Sequence, residues 1–201
     1  MKSTEAHDVR LRARSLDAEC LVRAQRGEVA AFEQLARVHC DRLFAVALRL
    51  VGDRAEAEDV VQETLLRAWR GIGRFHGGSD IFTWLYRITV NEANRAREKG
   101  ARRPATTPFA DEHLQLSGPP GDGPARRAEY REVRAALERA LQQLPLAHRT
   151  AIVLRDIEGL STREAANVVG VGEAAFKSRL HQARLKIRAA LGDEALIAAG
   201  A

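Results

Sequence analysis

Apolar residues recur every three or four positions along most of this 201-residue chain, a spacing typical of amphipathic helices packed on a core. Runs of β-branched residues are nearly absent, whereas alanine, leucine and arginine are abundant, so the pattern predicts an all-α fold. Glycines, prolines and capping residues divide the pattern into predicted helices over 17–26, 29–51, 55–70, 81–99, 126–144, 146–158, 161–170 and 172–191.

The helical pattern stops between Pro104 and Pro124, which hold five of the six prolines, three glycines, three acidic residues and no Lys or Arg. Such a composition indicates an extended linker. We therefore expect two small helical domains joined by a flexible linker. The predicted parts are a flexible arm over 1–15, a first domain over 16–103, the linker over 104–127, a second domain over 128–192 and a short tail over 193–201.

The predicted helix over 81–99 divides into two faces. Trp84 and Ile88 share an apolar face, so we expect Trp84 to be structural and Tyr86 to be exposed. A polar stripe beside that face consists of Arg87, Asn91 and Asn94. Amides can bind base edges, cations bind phosphates and aromatic rings stack on unpaired bases, so the helix favours contact with opening DNA. An ordinary solvated basic helix is the alternative.

A second informative segment lies near the carboxyl end. Ser161 and Glu164 form a capping box that opens a short helix, Gly170 ends it, and a longer helix begins near Glu173. The second helix carries five Lys or Arg and one acid. This pattern is typical of a helix-turn-helix. Its small core is predicted to consist of Ala165, Ala166, Val169, Val171, Phe176 and Leu180.

Charge and composition narrow the function further. The formal charge of +5 and the isoelectric point near 9.7 favour a polyanionic partner. The six histidines are scattered, there is no phosphate-binding loop, and Cys20 and Cys40 lack metal-ligand spacing, so we expect no catalytic site, metal or cofactor. No apolar run approaches the ~18 residues of a membrane span and no signal-peptide core is present, so we expect a soluble cytoplasmic protein.

Taken in order, the segments resemble the sigma-70 family, and within it the extracytoplasmic-function (ECF) group, which keeps only regions 2 and 4. The resemblance is carried by AFEQLARVHCDRLFAVALRLVGD (31–53), AEDVVQETLLRAW (57–69), FTWLYRITVNEANRAR (82–97) and LSTREAANVVGVGEAAFKSRLHQARLKI (160–187). It implies an RNA polymerase specificity factor. The implied partners are core polymerase, through its β′ coiled coil and β flap, promoter DNA and an anti-sigma factor.

The resemblance also implies roles for individual residues of the first domain. The core-polymerase contact would consist of Asp59, Gln62, Glu63 and Leu66. The loop over 73–80 and the following helix would open and read the −10 promoter element, with Asn91 lining the site of a flipped base. The full set of −10 candidates is Phe75, His76, Gly77, Ser79, Tyr86, Arg87, Asn91, Asn94 and Arg95. The acidic linker would either thread the polymerase channel or serve as a spacer.

In the second domain, the resemblance places the −35 contacts on the last helix. Base-reading candidates are Lys177, Ser178, His181 and Gln182, and phosphate contacts are Arg179, Arg184 and Lys186. Many family members have Arg where this chain has Gln182, and a smaller β-branched residue in place of Phe176. Because Arg favours guanine and Gln favours adenine, we expect the −35 sequence to differ from the common one.

Two functions of other classes remain open at this stage. A stand-alone helix-turn-helix regulator would use its first half for sensing or dimerisation, but this leaves the acidic Asp59–Glu63 surface beside a basic helix unexplained. A nucleic-acid enzyme is disfavoured because the sequence has no metal or nucleophile cluster. Co-purification with core polymerase separates the first alternative from a sigma factor, and a nuclease assay with Mg²⁺ tests the second.

Overall fold

The computed structural model describes residues 18–77, 79–100 and 124–199, and these ranges contain helices and turns only. The first helix, α1, is described over 18–25. The others are α2 (Val29–Val51), α3 (Arg54–Gly71), α4 (Ile81–Gly100), α5 (Pro124–Gln143), α6 (Leu146–Ile152), α7 (Thr162–Val169) and α8 (Glu173–Ala199). A short 3₁₀ turn, Ile72–Arg74, follows α3, and a turn of π-helix, Val153–Ile157, continues α6. The all-α prediction is confirmed.

Helices α2, α3 and α4 pack on one another and form the core of the first half. The Asp53 side chain starts α3 by accepting a hydrogen bond from the Glu56 amide at 2.9 Å. Asp80 starts α4 in the same way through the Phe82 amide. The apolar stripes predicted from the sequence meet between these helices, where the fully buried side chains include Leu35, Leu43, Val46, Leu50 and Leu85.

The second half contains the predicted helix-turn-helix. Both hydrogen bonds of the Ser161–Glu164 capping box are present, and α7 ends at Gly170 as predicted. The core of the motif is Ala165, Ala166, Val168, Phe176, Leu180 and Ala183. Val168, rather than the predicted Val169, is the more deeply buried valine, because α7 rests on α4 as well as on α8.

Two predicted boundaries differ from the structure. Helix α5 begins at Pro124, inside the stretch assigned to the linker, because a proline is well suited to the first turn of a helix. Helix α8 continues to Ala199, through the predicted tail, since the sequence after Leu191 contains alanine and leucine and no proline. The predicted arm over 1–15 and the linker residues 104–123 lie outside the described residues.

The two halves touch through the last turn of α2, whose carbonyl oxygens have no partner within the helix. The second half supplies two donors: Gln142 Nε2 bonds the Arg49 carbonyl at 3.0 Å, and Arg149 Nη1 bonds the Leu50 carbonyl at 2.8 Å. Arg149 is 1% exposed and also bonds the Leu144 carbonyl, at 3.2 Å. Burial, and to a smaller extent the charge of Arg97, lowers the pKa of Arg149 to about 10, so its guanidinium stays protonated at neutral pH.

The close approach of Gln142 to the end of α2 explains why a glycine, Gly52, ends this helix. Gly52 has a φ of +85°, a conformation that favours glycine, and its amide bonds the Leu48 carbonyl at 2.8 Å. A Cβ atom at this position would lie 2.6 Å from Gln142 Oε1. Any other residue would therefore strain the backbone and displace Gln142 from the interface.

A second contact between the halves is centred on Glu158, at the end of the π-helical turn. Its carboxylate accepts hydrogen bonds from the Tyr86 hydroxyl of α4 and, at 3.2 Å, from Arg42 of α2. The Arg42 guanidinium also lies over the Phe82 ring, 3.9 Å from the ring centroid. A buried aromatic surface and a shared carboxylate therefore connect α2 and α4 to the second half.

The sequence predicts no membrane-spanning helix and no metal site. Among the described residues, no helix is both long enough and apolar enough to cross a membrane, and no group of three or more potential metal ligands is present. Cys20 and Cys40 are free. Burial raises the pKa of the Cys40 thiol, which lowers the fraction of reactive thiolate.

The interface predicts a stability effect for Arg149→Met. This change removes the donors to buried carbonyls while keeping a long apolar side chain, so we expect the free energy of unfolding to fall by about 2–3 kcal/mol. Denaturant titration followed by tryptophan fluorescence measures the change. The matched control is Arg163→Met, at an exposed arginine of α7, which should fall within about 0.5 kcal/mol of the parent. Equal stability of the two variants would show that Arg149 does not support the interface.

Candidate nucleic-acid interface

The polar stripe predicted on α4 lies at the protein surface. Arg87, Asn91 and Arg95 are exposed, and Asn94 is half-buried. Because they follow one another at three- and four-residue spacing, their side chains lie along one side of the helix. The stripe therefore presents amide and guanidinium donors together, a combination suited to base edges and phosphates.

The expectation that Tyr86 is exposed is wrong. Tyr86 is completely buried. Its ring centroid lies 4.1 Å from that of Phe82, and its hydroxyl donates a hydrogen bond to Glu158. Burial, reinforced by the hydrogen bond to Glu158, raises its pKa well above the ordinary value, so the hydroxyl stays protonated. In this conformation Tyr86 cannot meet DNA. The spacing of Phe82, Tyr86, Val90 and Ala93 along one face could have indicated this burial.

Phe75, another predicted −10 contact, is also buried, at 8% exposure. Its ring packs against Trp84 with centroids 5.3 Å apart, and a Cβ added at Gly71 would lie 3.4 Å from Trp84 Cζ2. Trp84 is half-buried and structural, as predicted. Phe75 therefore fixes the start of the loop to α4, and the exposed part of the loop begins one residue later.

The loop over 75–80 is tied to α1 by a residue that the sequence pattern did not single out. Gln25 Nε2 donates to the Phe75 carbonyl at 2.7 Å and to the Ile72 carbonyl at 3.4 Å. The loop and α1 border an open cleft of about 430 Å³, lined by Leu21, Gln25, Gly73, Phe75, His76 and Gly77. A glutamine at this position carries no periodic signal, so only the fold reveals the tether.

Within the loop, His76 and Gly77 are exposed and Ser79 is half-buried. Gly77 has a φ of +72°, and a Cβ at this position would meet nothing within 4 Å. Glycine is therefore favoured here by its backbone conformation, while the space beside it remains open to a ligand.

One face of α3 forms a separate surface. Asp59 and Gln62 are exposed, Glu63 is half-buried, and Leu66 is 49% exposed. These four positions follow at i, i+3, i+4 and i+7 and so share a face, opposite the buried Val60, Val61, Thr64 and Ala68. The surface combines acidic and apolar groups, in contrast to the basic stripe on α4.

A row of ion pairs connects this surface with the stripe. Arg67 Nε lies 2.8 Å from Glu63 Oε1 and 2.9 Å from Glu92 Oε1. The same Glu92 oxygen lies 2.5 Å from Arg95 Nη1. Glu92 is 6% exposed, so this carboxylate is buried between two arginines.

The third surface is the first half of α8. Lys177, Ser178, His181 and Gln182 are all exposed, whereas Phe176, Leu180 and Ala183 face the core of the motif. Lys186 is also exposed, and Arg179 is half-buried. The predicted base-reading residues thus occupy the outer face of the second helix of a helix-turn-helix.

Arg184 differs from its neighbours because its guanidinium is already engaged. Nε and Nη2 bond the two carboxylate oxygens of Asp156 at 2.9 and 2.5 Å. The pair joins α8 to the π-helical turn. A phosphate would have to compete with Asp156 for this side chain, whereas among the described residues no carboxylate pairs with Lys186.

Comparison with known proteins gives the same two parts. The Sigma-70 region 2 family model matches residues 35–103, and the Sigma-70, region 4 model matches residues 134–187. The RNA polymerase sigma-H factor of Pseudomonas aeruginosa is 35% identical over 180 residues, which cover 87% of this chain and 93% of that protein. The ECF RNA polymerase sigma factor SigM of Mycobacterium tuberculosis is 35% identical over 88% of this chain and 85% of its own length.

Two solved structures have a similar fold. CnrH, in complex with the cytosolic domain of CnrY, gives a TM-score of 0.63 at 28% identity over 89% of this chain and 98% of that chain. The sigma factor RpoE, in complex with the anti-sigma factor NepR from Bartonella quintana, gives a TM-score of 0.63 at 27% identity over 82% and 98%. Since both regions match in order and the relatives align over nearly their whole length, the chain belongs to the ECF group of sigma-70 family RNA polymerase sigma factors.

Proposed function

We propose that the three exposed surfaces divide the work of this sigma factor: α3 binds core polymerase, α4 and its loop open the −10 element, and α8 reads the −35 element. The observation that carries this proposal is the polar stripe of α4: Arg87, Asn91 and Arg95 are exposed and Asn94 is half-buried, while the opposite face of the helix is buried. A basic helix with no ligand would not need two amides in register with its cations.

The polymerase contact is proposed on α3 because its exposed face carries Asp59, Gln62 and a half-exposed Leu66. A central apolar side chain with a polar rim is the usual composition of a protein interface. The family resemblance implies the β′ coiled coil as the partner of this face, and the β flap as a partner of the second half.

The proposed mechanism needs no chemical step by this chain. Region 4 holds duplex DNA through phosphates and a few base edges. Region 2 then traps an unpaired base near Asn91, which recovers the few kcal/mol lost on unstacking. Promoter opening is thus driven by binding energy, and we propose that the chain is not an enzyme and acts in the cytoplasm, with the polymerase.

The two halves must separate to act together on a promoter. The −10 and −35 elements lie about 25 base pairs apart, or ~85 Å at 3.4 Å per base pair. A compact chain of this length has a radius of gyration of about 16 Å, so halves in direct contact cannot reach both elements. We propose that the closed arrangement is the form off the promoter and that an anti-sigma factor binds this form. The similar B. quintana RpoE was solved in complex with the anti-sigma factor NepR.

Asp59→Lys tests the polymerase contact. Reversing this exposed charge should weaken binding to core polymerase by about tenfold, or ~1.4 kcal/mol, while circular dichroism stays unchanged. Glu33→Lys, at an exposed position of α2, makes the same charge change away from the proposed face and should bind like the parent. Unchanged affinity of the folded Asp59 variant would exclude this face.

Gln182→Ala and Lys186→Ala test the division between base and phosphate contacts. The Gln182 variant should lose about 1–3 kcal/mol at one −35 base position and relax the preference there. The Lys186 variant should bind all sequences more weakly and reduce the salt slope by about one phosphate. Binding to a randomised −35 library at several salt concentrations measures both. Identical profiles for the two variants would refute the division.

Asn91→Ala tests opening of the −10 element. The amide contacts only a base that has left the stack, so core binding and closed-complex formation should stay near parental levels while open complexes decrease. Permanganate reactivity of unpaired thymines measures opening. A pre-melted bubble template should restore part of the loss, since it removes the unstacking step. If the variant melts duplex promoter as well as the parent, α4 is only a basic scaffold.

A further inference from the structure

Glu92 is a buried carboxylate placed between the surfaces proposed for polymerase and for DNA. One of its oxygens, Oε1, lies 2.9 Å from Arg67 of α3 and 2.5 Å from Arg95 of α4. Arg67 also pairs with Glu63 at 2.8 Å. Four alternating charges therefore run from a proposed polymerase contact to a proposed −10 contact.

The surroundings of Glu92 strengthen its attraction for Arg95. Its side chain is 6% exposed, so water screens the pair less than it screens the surface ion pairs of this chain. Arg95 itself is 52% exposed, which leaves part of its guanidinium open to solvent. A DNA phosphate approaching α4 would have to compete with Glu92 for this one positive charge.

We propose that Glu92 is a positioning residue that restrains Arg95 in the free factor and releases it when polymerase engages Glu63. The idea rests on the proposed −10 role of α4. In the free factor, Arg67 is shared between Glu63 and Glu92. Once polymerase binds Glu63, Arg67 pairs with Glu92 alone. Arg67 then balances the charge of Glu92 more fully, and Glu92 attracts Arg95 less strongly. Arg95 then turns to a DNA phosphate.

The test measures binding of the full-length free factor to single-stranded DNA. The probe is a fluorescein-labelled non-template strand that carries the −10 sequence of a promoter transcribed by the parental holoenzyme. Glu92→Gln keeps the shape of the side chain and removes its charge. We expect tighter binding and a salt slope steeper by about 0.7, so that the gain shrinks about 2.6-fold between ~50 and ~200 mM salt.

A matched control separates release of Arg95 from the general loss of a negative charge. Glu98→Gln removes the same charge from an exposed position of the same helix and should leave the salt slope unchanged. The gain from Glu92→Gln should also disappear in an Arg95→Ala background. A gain that persists without Arg95, or an equal gain in the Glu98 variant, would overturn the proposal.

Arg67→Ala gives an independent test should Glu92→Gln fail to fold, because it is expected to change DNA binding in the opposite direction. Without Arg67, Glu92 is balanced by Arg95 alone, so oligonucleotide binding should weaken and the salt slope should become shallower. The control is Arg70→Ala, at an exposed arginine of the same helix, which should have no effect on the slope. Tighter binding by the Arg67 variant would contradict the restraint.

Glu63→Gln tests the connection to polymerase. It frees Arg67 for Glu92, as polymerase is proposed to do, so its gain should lie between those of the parent and Glu92→Gln. If Glu63→Gln does not tighten oligonucleotide binding, the proposed release of Arg95 by polymerase is wrong, and the restraint involves only Glu92 and Arg95. The outcome for the −10 site is distinguishable: if Asn91→Ala binds like the parent, and Arg95→Ala has no effect even in the Glu92→Gln background, the proposed site itself is wrong. If Asn91→Ala weakens binding while Glu92→Gln changes no slope, only the restraint is wrong.

Discussion

The arrangement of the whole chain depends on how the carboxyl end of α2 is satisfied. Helix α2 is the element on which α3 and α4 pack, and its last carbonyls are buried where the second half meets it. A buried acceptor without a donor costs about 1–3 kcal/mol. Gln142, Arg149 and Arg97 supply donors to the last three of these carbonyls. The two halves are therefore held in one orientation by specific hydrogen bonds, in addition to apolar contact.

This arrangement assigns α4 two separate tasks on two faces. Tyr86 and its apolar neighbours face the core and the second half, whereas Arg87 and Asn91 face solvent. Because closure of the two halves buries a different side of the helix, it leaves the polar stripe exposed. The proposed opening of the chain and the proposed contact with the −10 strand consequently use separate faces, and each can be altered by substitutions that leave the other face intact.

The formal charge of +5 is a poor guide to the charge available for DNA. Several arginines of the described residues are engaged inside the protein, in helix capping or in ion pairs: Arg42, Arg49, Arg67, Arg97, Arg149 and Arg184. The guanidinium group suits this use because it offers five donors in a planar array. Among the described residues, Lys177 and Lys186 on the outer face of α8 are exposed and carry no such pair.

The sequence by itself determined the helices, their order, the helix-turn-helix and the family. Those features depend on local signals: apolar periodicity, the Ser161–Glu164 capping box and the glycines that end α2 and α7. It also indicated that Arg87 and Asn91 of α4 and the polar face of α8 are exposed, because the opposite faces of these helices are apolar. Only the tertiary structure decided that Glu158 is the partner of Tyr86, that Phe75 is buried, that Gln25 tethers the loop and that Arg67 pairs with Glu92. Each of these depends on residues far apart in sequence, and the periodicity of a single helix cannot reveal which side chain from another helix lies opposite.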